Sequence, residues 1–316
     1  MIDSSLDQTD TSTVDPSAQT ARFLQATSPT LARDLWSMTK PEITFLVVLS
    51  TVAGFALGSL DDVAGWVMLW AVVGTALCSA GGAVLKHWME RDLDAGMRRT
   101  EARPIPSGRI SEKAAMYWGV GLASAGVGIL CPLVNPPTGM LAILTLALYL
   151  WVYTPLKRKT PLNTLVGTIP GALPALGGYV AATGKLGALG WAVFALLVAW
   201  QIPHFLSLAW MYRKDYARGG FAMSTTTDDS GTSTAVWIIA FTILTIVCSL
   251  LPWTMGATTW IYAILATLLG LPFLRASVAF WSDRSNAQAK RVLKASVMYI
   301  PLLVIALVVD VLWIAS

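Results

Sequence analysis

The sequence predicts an all-α integral membrane protein, a bundle of nine transmembrane helices whose active site opens to the cytoplasmic face. Three observations predict it. Of the 316 residues, 55% are hydrophobic and only 13% charged, against roughly a quarter charged in an ordinary soluble domain. Nine apolar runs approach the ~20 residues needed to cross a hydrocarbon core, and together they take up more than half of the chain. When these spans alternate in direction, all but one of the 22 basic residues fall on the same side, with Lys185 alone opposite. That asymmetry places the N-terminus and the long loops in the cytoplasm and the C-terminus outside. It also checks the count, because one span more or fewer would scramble the sorting. The composition rules out a secreted disulfide scaffold, a nucleic-acid-binding module and a soluble enzyme with a short tail anchor. The net charge of +4 therefore reports membrane orientation before any polyanionic partner.

The elements follow in order. Residues 1 to about 32 form a polar tail in which Asp3, Asp7, Asp10 and Asp15 precede the first basic residue, Arg22. Such a composition predicts disorder and matches neither a cleavable signal nor a transit peptide. Residues 33–316 form the nine-helix domain, with the first span as its anchor. The runs lie near residues 43 to 60, 65 to 86, 113 to 133, 137 to 155, 163 to 183, 187 to 211, 234 to 254, 257 to 280 and 295 to 315. Spans 3 and 4 are separated only by the turn-like stretch at Asn135, Pro136 and Pro137, and spans 7 and 8 by a few residues near Gly256. Both pairs are therefore antiparallel hairpins. Pro170, Gly171 and Pro174 predict an interruption of span 5, and Pro203 one of span 6 beside Gln201 and His204. Gly167 and Gly171 stand at a spacing that serves close helix packing. Cys78, Cys131 and Cys248 lie in or at the edge of apolar runs without metal-ligand spacing, and read as core. Asp310, near the outer end of the last span, carries no expected catalytic role.

The loops on the two sides differ in kind. Outer connections are short and almost uncharged, whereas the inner ones around residues 87 to 112, 156 to 162 and 212 to 233 carry both signs. Chemistry is expected on the inner face. Glu90 and Asp94 are four residues apart, so one further helical turn after span 2 would put both carboxylates on one face, with Lys86 a turn below. Hard oxygen donors of this kind suit Mg²⁺, which is commonly held by one or two carboxylates plus substrate phosphates. The arginines that follow suit the phosphate oxygens. The competing reading is a solvated loop whose charges pair with one another. Asp215, directly after Arg213 and Lys214, either orients a metal or is a charge at a helix end. The two histidines, His87 and His204, are ligands or core residues.

Three strings go further. Glu90-Arg91-Asp92-Leu93-Asp94, followed by Arg99-Thr100 and Arg103-Pro104, resembles the first aspartate-rich motif of the UbiA superfamily of intramembrane prenyltransferases. Tyr153-Thr154-Pro155-Leu156-Lys157-Arg158-Lys159-Thr160 with Asn163, Gly167 and Gly171 to Pro174 is similar to its haem-farnesylating branch. So is Trp200-Gln201-Ile202-Pro203-His204-Phe205 leading into Lys214-Asp215-Tyr216, and Thr39-Lys40-Pro41 matches as well. The resemblance implies Mg²⁺ as cofactor, farnesyl diphosphate and haem B as substrates and haem O as product. It further implies a lipid setting in a bacterial inner membrane, with the downstream haem A synthase as a candidate partner.

By matched position, Glu90 and Asp94 are expected to bind the metal diphosphate, with Asp92 as a third metal ligand. Asp215 is the surviving acid of a second motif and completes the catalytic set. Lys86, Arg99, Arg103, Lys157 and Arg158 are expected diphosphate contacts, Asn163 a substrate-orienting group and His204 a haem contact. Three positions depart from the superfamily pattern: Lys86 stands for the usual asparagine, Glu90 for aspartate, and Gly219 for an acid four residues after Asp215. The rivals are a UbiA-type enzyme acting on an aromatic acid or chlorin, a secondary transporter with a site at the bilayer midplane, and an oxidase assembly factor.

Overall fold

The structure, a computed structural model, describes residues 30–59 and 65–315. All but the last three residues of the expected tail lie outside that range. Those three begin a short helix that the hydropathy pattern did not announce, α1 (Leu31–Met38), capped by Thr30, whose hydroxyl accepts the Arg33 N–H at 3.3 Å. α1 buries Asp34 and Met38 and exposes Leu31 and Trp36. The Asp34 carboxylate receives Arg109 through Nε at 2.8 Å and Nη2 at 3.1 Å, which ties α1 to the first inner loop.

Lys40 links α1 to α2 (Pro41–Gly58) with φ 48°. A side chain in this left-handed region costs about 1–2 kcal/mol. The chain continues through α3 (Gly65–Met89), α4 (Arg91–Ala95), α5 (Glu112–Leu133) and α6 (Pro136–Leu156). Next come α7 (Asn163–Thr183), α8 (Ala188–Met211), α9 (Arg213–Arg218) and α10 (Ser224–Thr227). The last three are α11 (Thr232–Thr254), α12 (Trp260–Ser282) and α13 (Asn286–Ala315). Among the described residues nine helices are long and apolar enough to cross a membrane, and they are the nine expected from hydropathy. α13 starts nine residues earlier than its apolar run, because Lys290, Arg291 and Lys294 extend it beyond the apolar stretch.

The Asn135 turn forms for a local reason. Asn135 Oδ1 accepts the Thr138 N–H at 2.9 Å, Pro136 fills the first helical position, and Asn135 Nδ2 donates to the Val180 carbonyl at 3.0 Å. Gly256, at φ 75°, makes the other hairpin turn.

α7 and α8 are central. Their most apolar windows are 61% and 67% buried, whereas that of α6 is only 17% buried. Close packing explains it: a Cβ on Gly54 would lie 1.8 Å from the Ala175 carbonyl oxygen, and one on Gly178 would lie 2.0 Å from that of Thr51. α2 and α7 can therefore approach only through glycine.

The expected interruptions at Pro170, Pro174 and Pro203 do not occur; α7 and α8 stay helical through all three. Thr51 Oγ1 donates to the Pro174 carbonyl at 3.2 Å, a further tie between α2 and α7. The irregular helix is α6, which widens into a π-turn at Leu148–Tyr153, with Thr154 Oγ1 donating to the Tyr149 carbonyl at 2.8 Å. Turns of this kind frequently mark functional sites.

Candidate active site

A cavity of about 400 Å³ opens between α2, α3, α6, α7 and α8. Its walls are apolar along most of their depth, and its inner-loop end is charged. The extra turn expected after α3 is present: the Asp94 N–H donates to the Glu90 carbonyl at 2.8 Å, and Glu90 N–H to that of Lys86 at 2.9 Å. Glu90 and Asp94 consequently share one side and both line the cavity.

Each carboxylate is buried and each is held by cations. Glu90 receives Lys86 Nζ at 2.8 Å and Lys157 Nζ at 3.1 Å, one on each oxygen. Burial alone would raise its carboxyl, but the two ammonium groups outweigh burial and hold it below the usual range. Asp94 Oδ2 accepts Arg103 Nη1 at 2.6 Å, and its backbone carbonyl accepts Thr100 Oγ1 at 2.8 Å. Lys157 also lies 4.8 Å from the centre of the Tyr153 ring, which the π-turn presents to the cavity. Arg99 completes the charged end, resting over Tyr212 at 5.1 Å and Tyr216 at 5.7 Å. Lys40 faces the same space, and burial, reinforced by Lys86, Arg103 and Lys157, lowers its ammonium to about 7.

Four of the sequence-expected residues stand elsewhere. Asp92 is exposed and turns away from the cavity toward Arg91, because residues two apart on a helix point to opposite faces. It is in no position to join Glu90 and Asp94 around one ion. Arg158 is likewise exposed and outside the cavity, being the neighbour of Lys157 where the helix ends. Asn163 is fully buried but reaches no cavity wall; its Nδ2 donates to the carbonyls of Thr160 and Ala222, each at 2.7 Å. It fastens two inner loops together, beside the bond from Ala222 N–H to the Lys157 carbonyl at 2.8 Å. Asp215 stays at the rim, where it holds Arg218 at 2.7 Å and faces Arg99 Nε at 3.9 Å.

About two turns before the inner end of α8, His204 lines the cavity, stacked on Trp200 at 5.1 Å, with Nδ1 3.0 Å from Ser296 Oγ. Trp200 Nε1 donates to the Ser296 carbonyl at 2.8 Å, so one residue of α13 fixes both rings. Gln201 is seated by Gly171, where a Cβ would meet its Oε1 at 2.0 Å, and Gly167 seats Tyr153 in the same way at 2.5 Å. This glycine pair thus packs side chains of the site rather than a bare helix. His87 lies outside the cavity, buried, with neither ring nitrogen hydrogen-bonded to protein.

Among the described residues no three Asp, Glu, His or Cys side chains converge on a point. The donor set is two hard carboxylates on one face. That fits Mg²⁺ when its remaining positions are filled by diphosphate oxygens and water.

Comparison with known proteins gives the family. Residues 47–303 match the profile described as the UbiA prenyltransferase family. The chain belongs to that family. A UbiA relative from Salinibacter ruber, named protoheme IX farnesyltransferase, is 54% identical over 87% of this chain and 99% of its own length. Among solved UbiA-like structures, a digeranylgeranylglyceryl phosphate synthase superposes with a TM-score of 0.73 at 15% identity, covering 89% of this chain and 99% of its own. A UbiA homolog from Archaeoglobus fulgidus bound to GPP and Mg²⁺ gives 0.65 at 14% identity, covering 87% and 99%. UbiA membership makes the chain a membrane prenyltransferase, which sets aside the transporter and assembly-factor readings.

Proposed function

We propose that the chain transfers a farnesyl group from farnesyl diphosphate to a vinyl group of protohaem IX, with addition of water, giving haem O. The observation that carries this reading is the two-ended cavity, cationic and acidic toward the inner loops and walled by apolar side chains such as Val47, Leu130, Leu141 and Leu173 along the rest of its depth. A prenyl diphosphate needs both ends at once. The name carried by the 54% identical relative supports haem as the acceptor.

Lys86, Lys157, Arg99 and Arg103 would receive the diphosphate oxygens. Glu90 holds Lys86 and Lys157 in place, Asp94 holds Arg103 and Asp215 faces Arg99; with the diphosphate, Glu90 and Asp94 would hold Mg²⁺. When bound, that ion adds positive charge where the leaving group becomes negative. The bond between the first farnesyl carbon and oxygen breaks as diphosphate departs. Apolar walls keep water from the allylic cation, and the haem vinyl group attacks it through its terminal carbon. Water then adds to the remaining cation beside the porphyrin ring and loses a proton, which leaves the hydroxyethylfarnesyl product. The Trp200–His204 stack fixes the haem end, and Asp215 and Asn163 position the rim. An inner membrane with the charged rim toward the cytoplasm fits the distribution of basic residues, and a haem A synthase is the natural consumer of the product.

The test is direct. Detergent-solubilised protein given haem B, farnesyl diphosphate and Mg²⁺ should yield a porphyrin heavier by one farnesyl group and one hydroxyl. Unchanged haem in the presence of an active control enzyme would reject the assignment, and farnesylation of an aromatic acid or chlorin instead would redirect it.

A further inference from the structure

Lys40 has no part in the reaction described so far, yet its geometry is unusual in three respects. It is the only non-glycine residue among those described with a positive φ, 48° with ψ 66°. The turn is held from both sides: Lys40 N–H donates to the Ser37 carbonyl at 3.3 Å, and the Lys40 carbonyl accepts Ile43 N–H and Thr44 N–H, each at 3.0 Å. Strain of this kind persists where its surroundings over-determine it, and it clusters at ligand clamps.

The second respect is position. Lys40 lines the cavity, on the same charged end as Lys86, Lys157 and Arg103. The third is the lack of a counter-charge. Lys86 and Lys157 share Glu90, Arg103 holds Asp94 and Arg99 faces Asp215, all within 4.0 Å. Lys40 alone of these five cations has no carboxylate within that distance among the described residues. Its side chain is only partly exposed, and a cation partly withdrawn from water is stabilised when something anionic meets it.

We propose that Lys40 is a diphosphate-binding residue, held toward the cavity by its left-handed turn before the ligand arrives, so that ligand oxygens supply the counter-charge the protein withholds. The proposal rests on the prenyl diphosphate reading above. The Asp34–Arg109 pair supports the turn from behind by fixing α1 to the inner loop.

The experiment uses the full chain in detergent and titrates it with farnesyl diphosphate and, separately, inorganic diphosphate, each with Mg²⁺, alongside thermal unfolding. Lys40→Met and Lys40→Gly should each weaken farnesyl diphosphate binding by roughly tenfold or more, the loss of one charge-assisted contact. Lys40→Gly should at the same time keep or raise the unfolding midpoint, because glycine accepts the positive φ without strain. Lys40→Arg should retain binding to within a few-fold, since the charge survives. Undiminished affinity in both neutral variants would overturn the proposal. So would a Lys40→Gly protein that loses midpoint and affinity together, which would make the turn structural. Failure of the wild type to bind either probe would remove the diphosphate reading itself, a result separable from a wild type that binds while its Lys40 variants bind equally well.

Discussion

The two sides of α8 are built from similar apolar residues and do opposite things. Toward α11, α12 and α13 the interior is filled by large rings, with Tyr262, Phe273, Phe280 and Tyr299 at most 2% exposed. Polar contacts there include neutral pairs: Thr242 and Ser277 hydroxyls meet at 2.9 Å, and Tyr262 OH donates to the Ser249 carbonyl at 2.9 Å. Toward α2, α3, α6 and α7 glycines replace rings, α6 carries a π-turn, and space remains for a ligand. Buried ion pairs gather on that second side around Glu90 and Asp94, whereas the filled flank buries Asp310 against Thr259. One flank is filled to hold the bundle together. The other is left open and charged, and its order depends on the first, since Trp200 and His204 are both fixed by Ser296 of α13.

Paired substitutions can break this contrast. The largest difference is expected between two buried acids. Asp94→Asn should lower kcat/KM by on the order of a hundredfold to a thousandfold while the protein still folds. Asp310→Asn should leave turnover near wild type and cost about 1.5–3 kcal/mol of stability, because Asp310 accepts the backbone N–H of Thr259 at 2.7 Å. Turnover assays and thermal unfolding on both variants decide it. Wild-type rates in Asp94→Asn would erase the division.

Next comes packing. Phe273→Ala, in the filled flank, should destabilise by about 3–5 kcal/mol, whereas Leu146→Ala, already facing the cavity, should fall near or below about 2 kcal/mol. Equal losses in denaturation would mean that both flanks are packed alike.

A glycine pair sharpens the point. Gly54→Ala meets rigid backbone on α7 and should destabilise by about 1–3 kcal/mol. Gly171→Ala meets the end of the Gln201 side chain, so it should fold and lose between roughly tenfold and a hundredfold in rate through misplacement at the site. The smallest effects are expected at Asp92→Asn and Arg158→Gln, within about twofold of wild-type turnover, as surface charges outside the cavity contribute little. A large loss at either would return that residue to the site.

Hydropathy, charge asymmetry and hairpin turns were legible because each depends on composition over many residues or on a local cap such as Asn135. The pairing of Glu90 with Asp94 was legible from helical spacing, and the same spacing argues against Asp92. What the letters hid depends on tertiary contact. Asn163 matched a motif, yet its partners, the Thr160 and Ala222 carbonyls, lie on two different loops. Helix continuity at Pro170, Pro174 and Pro203 depends on neighbours, so local propensity misjudged it. Lys40 showed only as a motif letter, and its left-handed backbone could be suspected only from its place between a helix end and Pro41. No composition signal marks the α6 π-turn, because widening by one residue leaves hydropathy unchanged.

That widened turn has a wider meaning. Because it takes up one residue more than an ordinary turn, it turns the end bearing Tyr153 and Lys157 by about 100° from where an unbroken helix would aim it. The inserted residue therefore decides which side chains of that end meet the cavity, and Tyr149, Tyr153 and Lys157 are the ones that do.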